Sequence, residues 1–148
     1  MHSFVSCLLH VVFSTKERRR IITASLQAQL WPYLAGIARK NKMKAVRIGG
    51  VEDHVHILLS LPATLDIAKA VQLLKGSSSK WVHETFPDQR TFEWQKGYGA
   101  FSIGISGVAD TVVYIESQAE HHKRITFQDE LASILRKHGI EFEPAMLD

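Results

Sequence analysis

The segment between residues 53 and 61 alternates between two kinds of side chain, as a half-buried β-strand does. One set of alternate positions is purely aliphatic, and the other set carries His54 and His56. Residues two apart on a strand project from the same face of the sheet, about 7 Å from one another. The pattern therefore predicts a strand that buries one face and presents two imidazoles side by side on the other.

Hydrophobic periodicity divides the rest of the chain into further strands and helices. The predicted strands are residues 4–14, 43–51, 53–61 and 97–105. The predicted helices are residues 24–40, 65–83 and 108–123, and a last one that begins at the capping signature T-F-Q-D of residues 126–129 and ends at Gly139.

Two of these helices contain residues that disfavour helix. Pro32 lies inside the first, so we expect a kink there or a later helix start. Gly76 and three serines lie in the middle of the second. They indicate either a break or a surface of small hydroxylated residues that a phosphate backbone can approach.

The order of the elements is β-α-β-β-α-β followed by two helices. This order is typical of an α+β, ferredoxin-like or RRM-like antiparallel sheet with two helices on one face. The face that carries His54 and His56 is then left for the helix at about 108–123. No repeat or linker divides the 148 residues, so we expect residues 1–148 to form one domain.

Composition excludes some classes of protein without indicating a function. A hydrophobic content of 45% with 22% charged residues fits a soluble globular protein. No apolar run approaches the roughly 20 residues of a membrane span, and we find no signal-peptide pattern, so we expect a cytoplasmic protein with no membrane partner. Cys7 is the single cysteine, which excludes an internal disulfide.

The net charge of +3 is too small to indicate a nucleic-acid partner by itself, but the basic residues are clustered. Dense Lys/Arg patches attract phosphates through counterion release. A solvated loop or helix end has the same composition, so both interpretations stay open. The candidate DNA-contacting residues are Arg18, Arg19, Arg20, Lys40, Lys42, Lys44, Arg47, Lys75 and Lys80.

The helix predicted at 108–123 has a polar stripe beside its apolar one. Tyr114 and Gln118 lie one helical turn apart on that stripe. Gly104 and Gly107 precede the helix and indicate a flexible joint. Each of these residues is unremarkable alone, because helical tyrosines are commonly structural. The same applies to His10, which the first strand would place near the histidine pair.

Together these residues form an ordered set that resembles a known family. The set comprises D-H-V-H-I-L-L, W-Q-K-G-Y-G-A-F-S and V-Y-I-E-S-Q-A-E-H-H-K, with H-V-V-F-S-T-K near the start and L-L-K-G-S-S-S-K in the middle. It resembles the single-tyrosine HUH transposases, the small transposases of insertion sequences that move as single-stranded DNA. The similarity runs from about residue 4 to residue 135.

The resemblance implies a role for each motif. Tyr114 matches the catalytic nucleophile, and His54, His56 and Gln118 match the ligands of a divalent metal ion. The family implies Mg or Mn, although imidazole ligands on their own suit transition metals better than Mg. His121 and the residue after it match a histidine pair to which we assign no role.

The implied activity is that of a metal-dependent single-strand DNA transposase and endonuclease. The tyrosine attacks a phosphodiester, which gives a 5′-phosphotyrosine link and a free 3′-OH, and strand transfer follows. The implied partners are single-stranded DNA with a hairpin at the transposon ends and a second copy of the chain. In that homodimer the tyrosine helix can complete the site of its own subunit, in cis, or that of the other subunit, in trans. A bacterial or archaeal, nucleoid-associated protein is implied.

Three other functions stay open at this point. A domesticated nuclease would use the same residues to process chromosomal hairpin repeats. A non-catalytic binder would stack bases of single-stranded nucleic acid on its sheet, with Trp94 and Tyr98 as candidate platforms. A metallohydrolase for small molecules would need a carboxylate base, for which Glu52 and Asp53 are the neighbouring candidates.

Overall fold

The computed structural model describes residues 1–147, and its centre is a four-stranded sheet. The strands are β1 (Leu8–Ser14), β2 (Lys44–Val51), β3 (His54–Ser60) and β4 (Gly99–Ile103). The helices are α1 (Ala24–Lys40), α2 (Ile67–Thr85), α3 (Val108–Glu116), α4 (Gln118–His121) and α5 (Phe127–Lys137).

The strand order across the sheet is β2-β3-β1-β4, and every neighbouring pair is antiparallel. A two-residue turn at Glu52 and Asp53 joins β2 to β3, so the short connection makes them neighbours, as predicted. The backbone amides of Thr15 and Ile22 donate to the carbonyls of this turn. The predicted α+β antiparallel fold class is confirmed.

One face of the sheet packs against α1 and α2 and forms the main hydrophobic core. Leu9, Val11 and Phe13 are alternate residues of β1, and all three point into it. Leu34 of α1 and Leu74 of α2 meet them as fully buried side chains. Each such side chain stabilises the fold by about 1.5–3 kcal/mol relative to exposure. This face therefore anchors the sheet whose other face carries the histidines.

Helix α1 runs without interruption through Pro32, and it begins at Ala24. The alternative of a later start is therefore wrong. Thr23 caps the helix, because its side chain accepts a hydrogen bond from the backbone amide of Leu26. The burial of leucines on either side of the exposed proline outweighs its local cost.

Helix α2 also continues through Gly76, so a break there is wrong. Ser78 is fully buried, and its hydroxyl accepts a 3.0 Å hydrogen bond from the indole of Trp94. The ammonium of Lys75 donates to the carbonyls of Gln95 and Gly97. This part of the serine-rich segment therefore packs against the 94–97 loop.

The single helix predicted at 108–123 is wrong in one respect, because the structure divides it at Ser117 into α3 and α4. The hydroxyl of Ser117 donates to the carbonyl of Val113 at 2.7 Å, which is a local bond that disturbs helices. Gln118 nonetheless stays one turn from Tyr114, and its side-chain Nε2 donates a hydrogen bond to the backbone carbonyl of Tyr114.

The first and last strands of the chain, β1 and β4, are shorter than predicted, because the segment before Leu8 and the residues flanking β4 lie outside these strands. Phe4 and Val5 are exposed rather than buried in a strand. None of the helices in residues 1–147 combines the length and apolar character needed to cross a membrane.

The second face of the sheet is covered by α3 and α5. Val12 and Phe101 of the sheet pack against Phe127 of α5 in a small second core. Helix α3 lies close against β2. A Cβ at Gly49 of β2 would lie 2.3 Å from the carbonyl oxygen of Ile115 in α3. Glycine at position 49 therefore permits the contact that places Tyr114 over β3.

Candidate metal and tyrosine site

His54 and His56 project from the same face of β3, as predicted, and both side chains are fully buried. Their ring centroids lie 5.0 Å apart. The Nε2 atoms of both rings point at one oxygen, Oε1 of Glu130, at 3.3 Å from His54 and 3.0 Å from His56. The two imidazoles thus converge on a single point above the sheet.

The remaining nitrogen of each ring is held by a second partner. Nδ1 of His54 donates to the Oδ1 carboxylate oxygen of Asp53 at 2.7 Å. Nδ1 of His56 lies 2.7 Å from Nε2 of His10, whose strand pairs with β3. Such partners fix the orientation of metal-binding histidines in proteins. Asp53 and His10 therefore set the direction in which the two Nε2 atoms point.

Glu130, on α5, lies at the centre of the cluster and is only 1% exposed. Its Oε1 oxygen also lies 3.0 Å from Nε2 of His122. Its other oxygen, Oε2, accepts a hydrogen bond from the hydroxyl of Tyr114 and lies 3.4 Å from Nε2 of His121. One carboxylate therefore links the histidine cluster to the tyrosine.

Gln118, the first residue of α4, also contacts the histidine cluster. Its side chain is buried, and its Oε1 accepts a hydrogen bond from Nε2 of His54 at 3.0 Å. The rings of Tyr114 and His56 lie with centroids 5.6 Å apart in the same chain. The structure thus brings together the four predicted catalytic and metal-binding residues, with Tyr114 in cis.

The charges in this cluster are strongly coupled. Burial alone would raise the pKa of Glu130, yet its contacts with His122, His54 and His56 hold that pKa far below the usual value for a carboxyl group. Burial likewise disfavours protonated His54, but hydrogen bonds to Asp53 and Glu130 outweigh it and raise the pKa of His54 to about 9. The resting cluster is therefore an ionised carboxylate beside a protonated imidazole.

The hydroxyl of Tyr114 is kept protonated in this arrangement. Burial is the largest cause that raises its pKa, and the adjacent Glu130 carboxylate raises it further. Burial lowers the pKa of His56, so this ring favours its neutral form. A free tyrosine already has a pKa of ~10, so Tyr114 is a weak nucleophile until its surroundings change.

His122 provides the clearest sign that this cluster fits a cation. Its Nδ1 donates to the carbonyl of Ile125 at 3.0 Å, while its buried Nε2, although 3.0 Å from Oε1 of Glu130, has no partner within residues 1–147 with the geometry of a hydrogen bond. That nitrogen faces the Glu130 carboxylate, and the ligand atoms of His54, His122 and Glu130 all lie within 4.8 Å of one another. Imidazole and carboxylate donors in such a group match the preferences of divalent ions, Mn among them.

Glu130 is the central residue that sequence reasoning missed. A signal was present, because Glu130 lies three residues after Phe127 and four before Ile134, on the apolar stripe of its helix. A charge on an otherwise apolar stripe indicates a buried partner. The stripe alone could not identify that partner, which comes from β3, about 75 residues earlier in the chain.

The candidate DNA-contacting residues are not brought together in one place. Arg19 and Arg47 form surface ion pairs with Glu17 and Glu116, and Lys80 lies 4.0 Å from Glu84. Arg18 donates to the carbonyl of Leu147, and Lys75 is engaged by the 94–97 loop. Within residues 1–147, the exposed members without an ion pair are Arg20, Lys40, Lys42 and Lys44.

The two aromatic residues considered as stacking platforms differ in exposure. Trp94 is buried between Phe13 and Phe92, which assigns it to the core. Tyr98 is 44% exposed. The sheet face that an RRM-like binder would present to bases is instead covered by α3 and α5.

The sequence matches one protein family over most of its length. The family profile described as "Transposase IS200 like" matches residues 3–118, from before β1 to the start of α4. The match thus includes the histidine pair, Tyr114 and Gln118. It ends before His121 and Glu130.

Curated relatives agree with this assignment. The transposase of insertion sequence element IS200 from Salmonella typhimurium is 27% identical over 128 residues, which cover 82% of this chain and 83% of the relative. The ISDra2 transposase TnpA from Deinococcus radiodurans is 26% identical over 114 residues, which cover 74% of this chain and 81% of the relative.

Solved structures share the fold. The crystal structure of a protein from Deinococcus radiodurans assigned as a transposase superposes with a TM-score of 0.67 at 24% identity, over 80% of this chain and 95% of that one. The structure of a REP-associated tyrosine transposase bound to a REP hairpin gives a TM-score of 0.57 at 14% identity, over 78% of this chain and 68% of that one.

Proposed function

Because the chain belongs to the IS200-like transposase family, we propose that it cuts and rejoins one strand of DNA with Tyr114 as the nucleophile. The observation that supports this most directly is the position of Tyr114, whose hydroxyl donates to the same carboxylate on which His54 and His56 converge. A tyrosine with only a structural role would not need to reach a buried ionised cluster.

The proposed reaction conserves the energy of the phosphodiester. The phenol oxygen of Tyr114 bonds to phosphorus as the bond from phosphorus to the 3′ oxygen breaks. The phenol proton leaves, and the 3′ oxygen gains a proton, so one strand becomes a 5′-phosphotyrosine and the other a free 3′-OH. Attack by another 3′-OH on the phosphotyrosine reverses these steps, which joins two strands without ATP.

We propose that His54, His56 and Gln118 hold a divalent ion, Mg or Mn, beside the tyrosine. When bound there, such an ion would neutralise charge on the phosphate that Tyr114 attacks. The residues of the chain supply the orientation: Asp53 directs the ring of His54, and Glu130 holds the tyrosine hydroxyl. His54 would bind such an ion in its neutral form, so metal binding would release the proton that Asp53 and Glu130 stabilise on this ring.

We further propose that the substrate is single-stranded DNA with a hairpin near each end of the element. The REP-associated relative is bound to a REP hairpin. The exposed cations that lack an ion pair in residues 1–147 would contact the phosphates of such a hairpin: Arg20, Lys40, Lys42 and Lys44. We also propose that the working unit is a homodimer, in which Gly104 and Gly107, at the 3₁₀ turn before α3, would permit α3 to be exchanged between copies.

Incubation with single-stranded DNA from the ends of the element tests the nucleophile. With Mn²⁺ present, the wild-type protein is expected to form an adduct with labelled DNA that survives denaturing electrophoresis. Tyr114→Phe should bind the same DNA and form no adduct, because it retains the ring and lacks the attacking oxygen. Tyr33→Phe is the matched control, since Tyr33 stacks on Trp81 on the opposite face of the sheet.

Two results would contradict this proposal. Adduct formed by Tyr114→Phe at the wild-type rate would exclude Tyr114. Binding of the end DNA by the wild-type protein without any adduct, in either Mn²⁺ or Mg²⁺, would instead favour the non-catalytic binder of single-stranded nucleic acid.

A further inference from the structure

A cleft of about 500 Å³ opens beside Tyr114, between the end of β4, α3 and α5. Tyr114 and Glu130 line it at the end nearest the histidine cluster, and Lys137 and His138 line it where α5 ends. Its volume lies within the range of small-molecule binding sites in proteins. The family match ends at residue 118, before Lys137 and His138, and the proposed reaction uses neither residue.

The cleft is lined by a cation, which can contact a phosphate, and by apolar and aromatic side chains, which can contact a nucleoside. Lys137 is exposed, and within residues 1–147 it has no ion pair. His138 is stacked on Phe101 with ring centroids 4.9 Å apart, which holds the imidazole in place. Ile103 and Ile134 supply apolar surface between them and Tyr114. A cation and an apolar wall at one site suit a phosphate with its attached sugar and base.

Two carboxylates also line the cleft, and they differ in their surroundings. Glu130 faces four imidazoles, which offset its charge. Asp110 is exposed, and within residues 1–147 it has no ion pair. The negative charge of Asp110 should therefore weaken the binding of a phosphate in the cleft. Removing that charge gives a second test of what binds there.

We infer that this cleft holds the strand that stays attached to Tyr114, with Lys137 contacting its phosphate backbone. The inference rests on the proposed function, in which the phosphate at the 5′ side of that strand becomes bonded to the phenol oxygen. The attached nucleotide must then extend from Tyr114 into adjoining space, and the cleft is space that Tyr114 itself lines. The other strand, which carries the 3′-OH, leaves from the opposite side of the phosphorus.

Binding of single-stranded DNA by variants at the end of α5 tests this inference. The probe is a fluorescein-labelled 20-nucleotide DNA of degenerate sequence, because phosphate contacts do not depend on sequence. Every protein carries Tyr114→Phe and the buffer contains EDTA, so that no cleavage interferes. Lys137→Gln should weaken binding severalfold and reduce the dependence of log affinity on log salt by about one unit.

The matched control is the neighbouring cation. Arg136 lies outside the cleft, over the ring of Phe142 at 5.4 Å, so Arg136→Gln removes the same charge from a different surface. It should change the affinity and the salt dependence much less than Lys137→Gln does. Asp110→Asn should strengthen binding, since it removes a negative charge from the cleft. Thermal unfolding of each variant checks that these exposed substitutions leave the fold intact.

Equal effects of Lys137→Gln and Arg136→Gln would overturn the inference, and so would weaker binding by Asp110→Asn. The wild-type adduct assay separates this failure from failure of the proposed function. An adduct on Tyr114 together with equal effects of the two cation variants would reject the cleft alone. Absence of the adduct would reject the nuclease even where Lys137→Gln weakens binding.

Discussion

At the scale of single residues, Glu130 determines the character of the site. Without it, Asp53 would be the remaining carboxylate beside His54, and His56, His121 and His122 would lose the carboxylate that they face. With it, His54 is held protonated with a pKa of about 9, and the Tyr114 hydroxyl has a fixed acceptor. The residues that the family resemblance identified therefore depend on one residue outside the matched region.

Glu130→Gln is expected to lower the free energy of unfolding by about 3 kcal/mol at neutral pH in EDTA. The amide keeps the size of the side chain but removes one of the two carboxylates beside buried protonated His54, the other being Asp53, and breaking a buried pair on one side costs about that much. The same variant should bind Mn²⁺ more weakly than the wild type in a calorimetric titration, because the negative charge beside the metal-binding imidazoles has been removed.

Glu120→Gln serves as the control for this comparison. Glu120 is an exposed helical carboxylate that pairs with Lys123 at 2.9 Å, and surface pairs of this kind contribute little. Denaturant unfolding should place Glu120→Gln close to the wild type. A Glu130→Gln protein that is as stable as the wild type and binds Mn²⁺ equally well would contradict the role given to Glu130.

At the scale of elements, the sequence predicts those features that depend on interactions between residues close together in the chain. The alternation around residues 54–60 predicted the strand and the face of its histidines, and the capping signature predicted that Thr126 begins α5, where its side chain accepts from the amide of Asp129. The propensity argument at Gly76 failed because burial of Ser78 against Trp94 outweighs local preference.

What the sequence could not provide is the packing of distant elements. The division of α3 from α4 depends on one serine hydroxyl, and the seating of α5 over the histidines brings together residues about 75 positions apart. The spacing of hydrophobic residues along the chain predicts neither the end of α3 nor the position of α5. The approach of α3 to β2 was likewise absent from the prediction, although Gly49 made it sterically available.

Gly49→Ala tests that approach of α3 to the sheet. The added methyl would lie 2.3 Å from the backbone of Ile115, so α3 must shift, and we expect a loss of about 1–3 kcal/mol in unfolding free energy. Adduct formation should fall as well, because Tyr114 precedes Ile115 on the same helix.

Gly76→Ala is the matched glycine substitution in α2. Within residues 1–147, apart from its chain neighbours and the backbone of the same helix, no heavy atom would lie within 4 Å of a Cβ at Gly76, so alanine should stabilise the helix by roughly 0.5–1 kcal/mol and leave adduct formation unchanged. Denaturant unfolding compares the two variants. Equal stability of Gly49→Ala and the wild type would show that α3 does not need this close contact.

At the scale of the whole molecule, one face of the sheet forms the main hydrophobic core and the other carries the candidate site. One face packs against α1 and α2 and holds the fold together. The other face is closed by α3 and α5, which bring the tyrosine and a carboxylate to the histidines. In our proposal, the cleft at the end of α5 holds the reacting strand beside Tyr114. Each part of this account requires that Tyr114 be the residue that reacts.

The most direct test is to identify which tyrosine becomes attached to DNA. The chain has three tyrosines, of which Tyr33 is stacked on Trp81 and Tyr98 is 44% exposed. After reaction with end DNA and Mn²⁺, digestion and mass spectrometry of the adduct should find the nucleotide on the peptide that contains Tyr114. A nucleotide on the more exposed Tyr98, or on any residue other than Tyr114, would contradict the account.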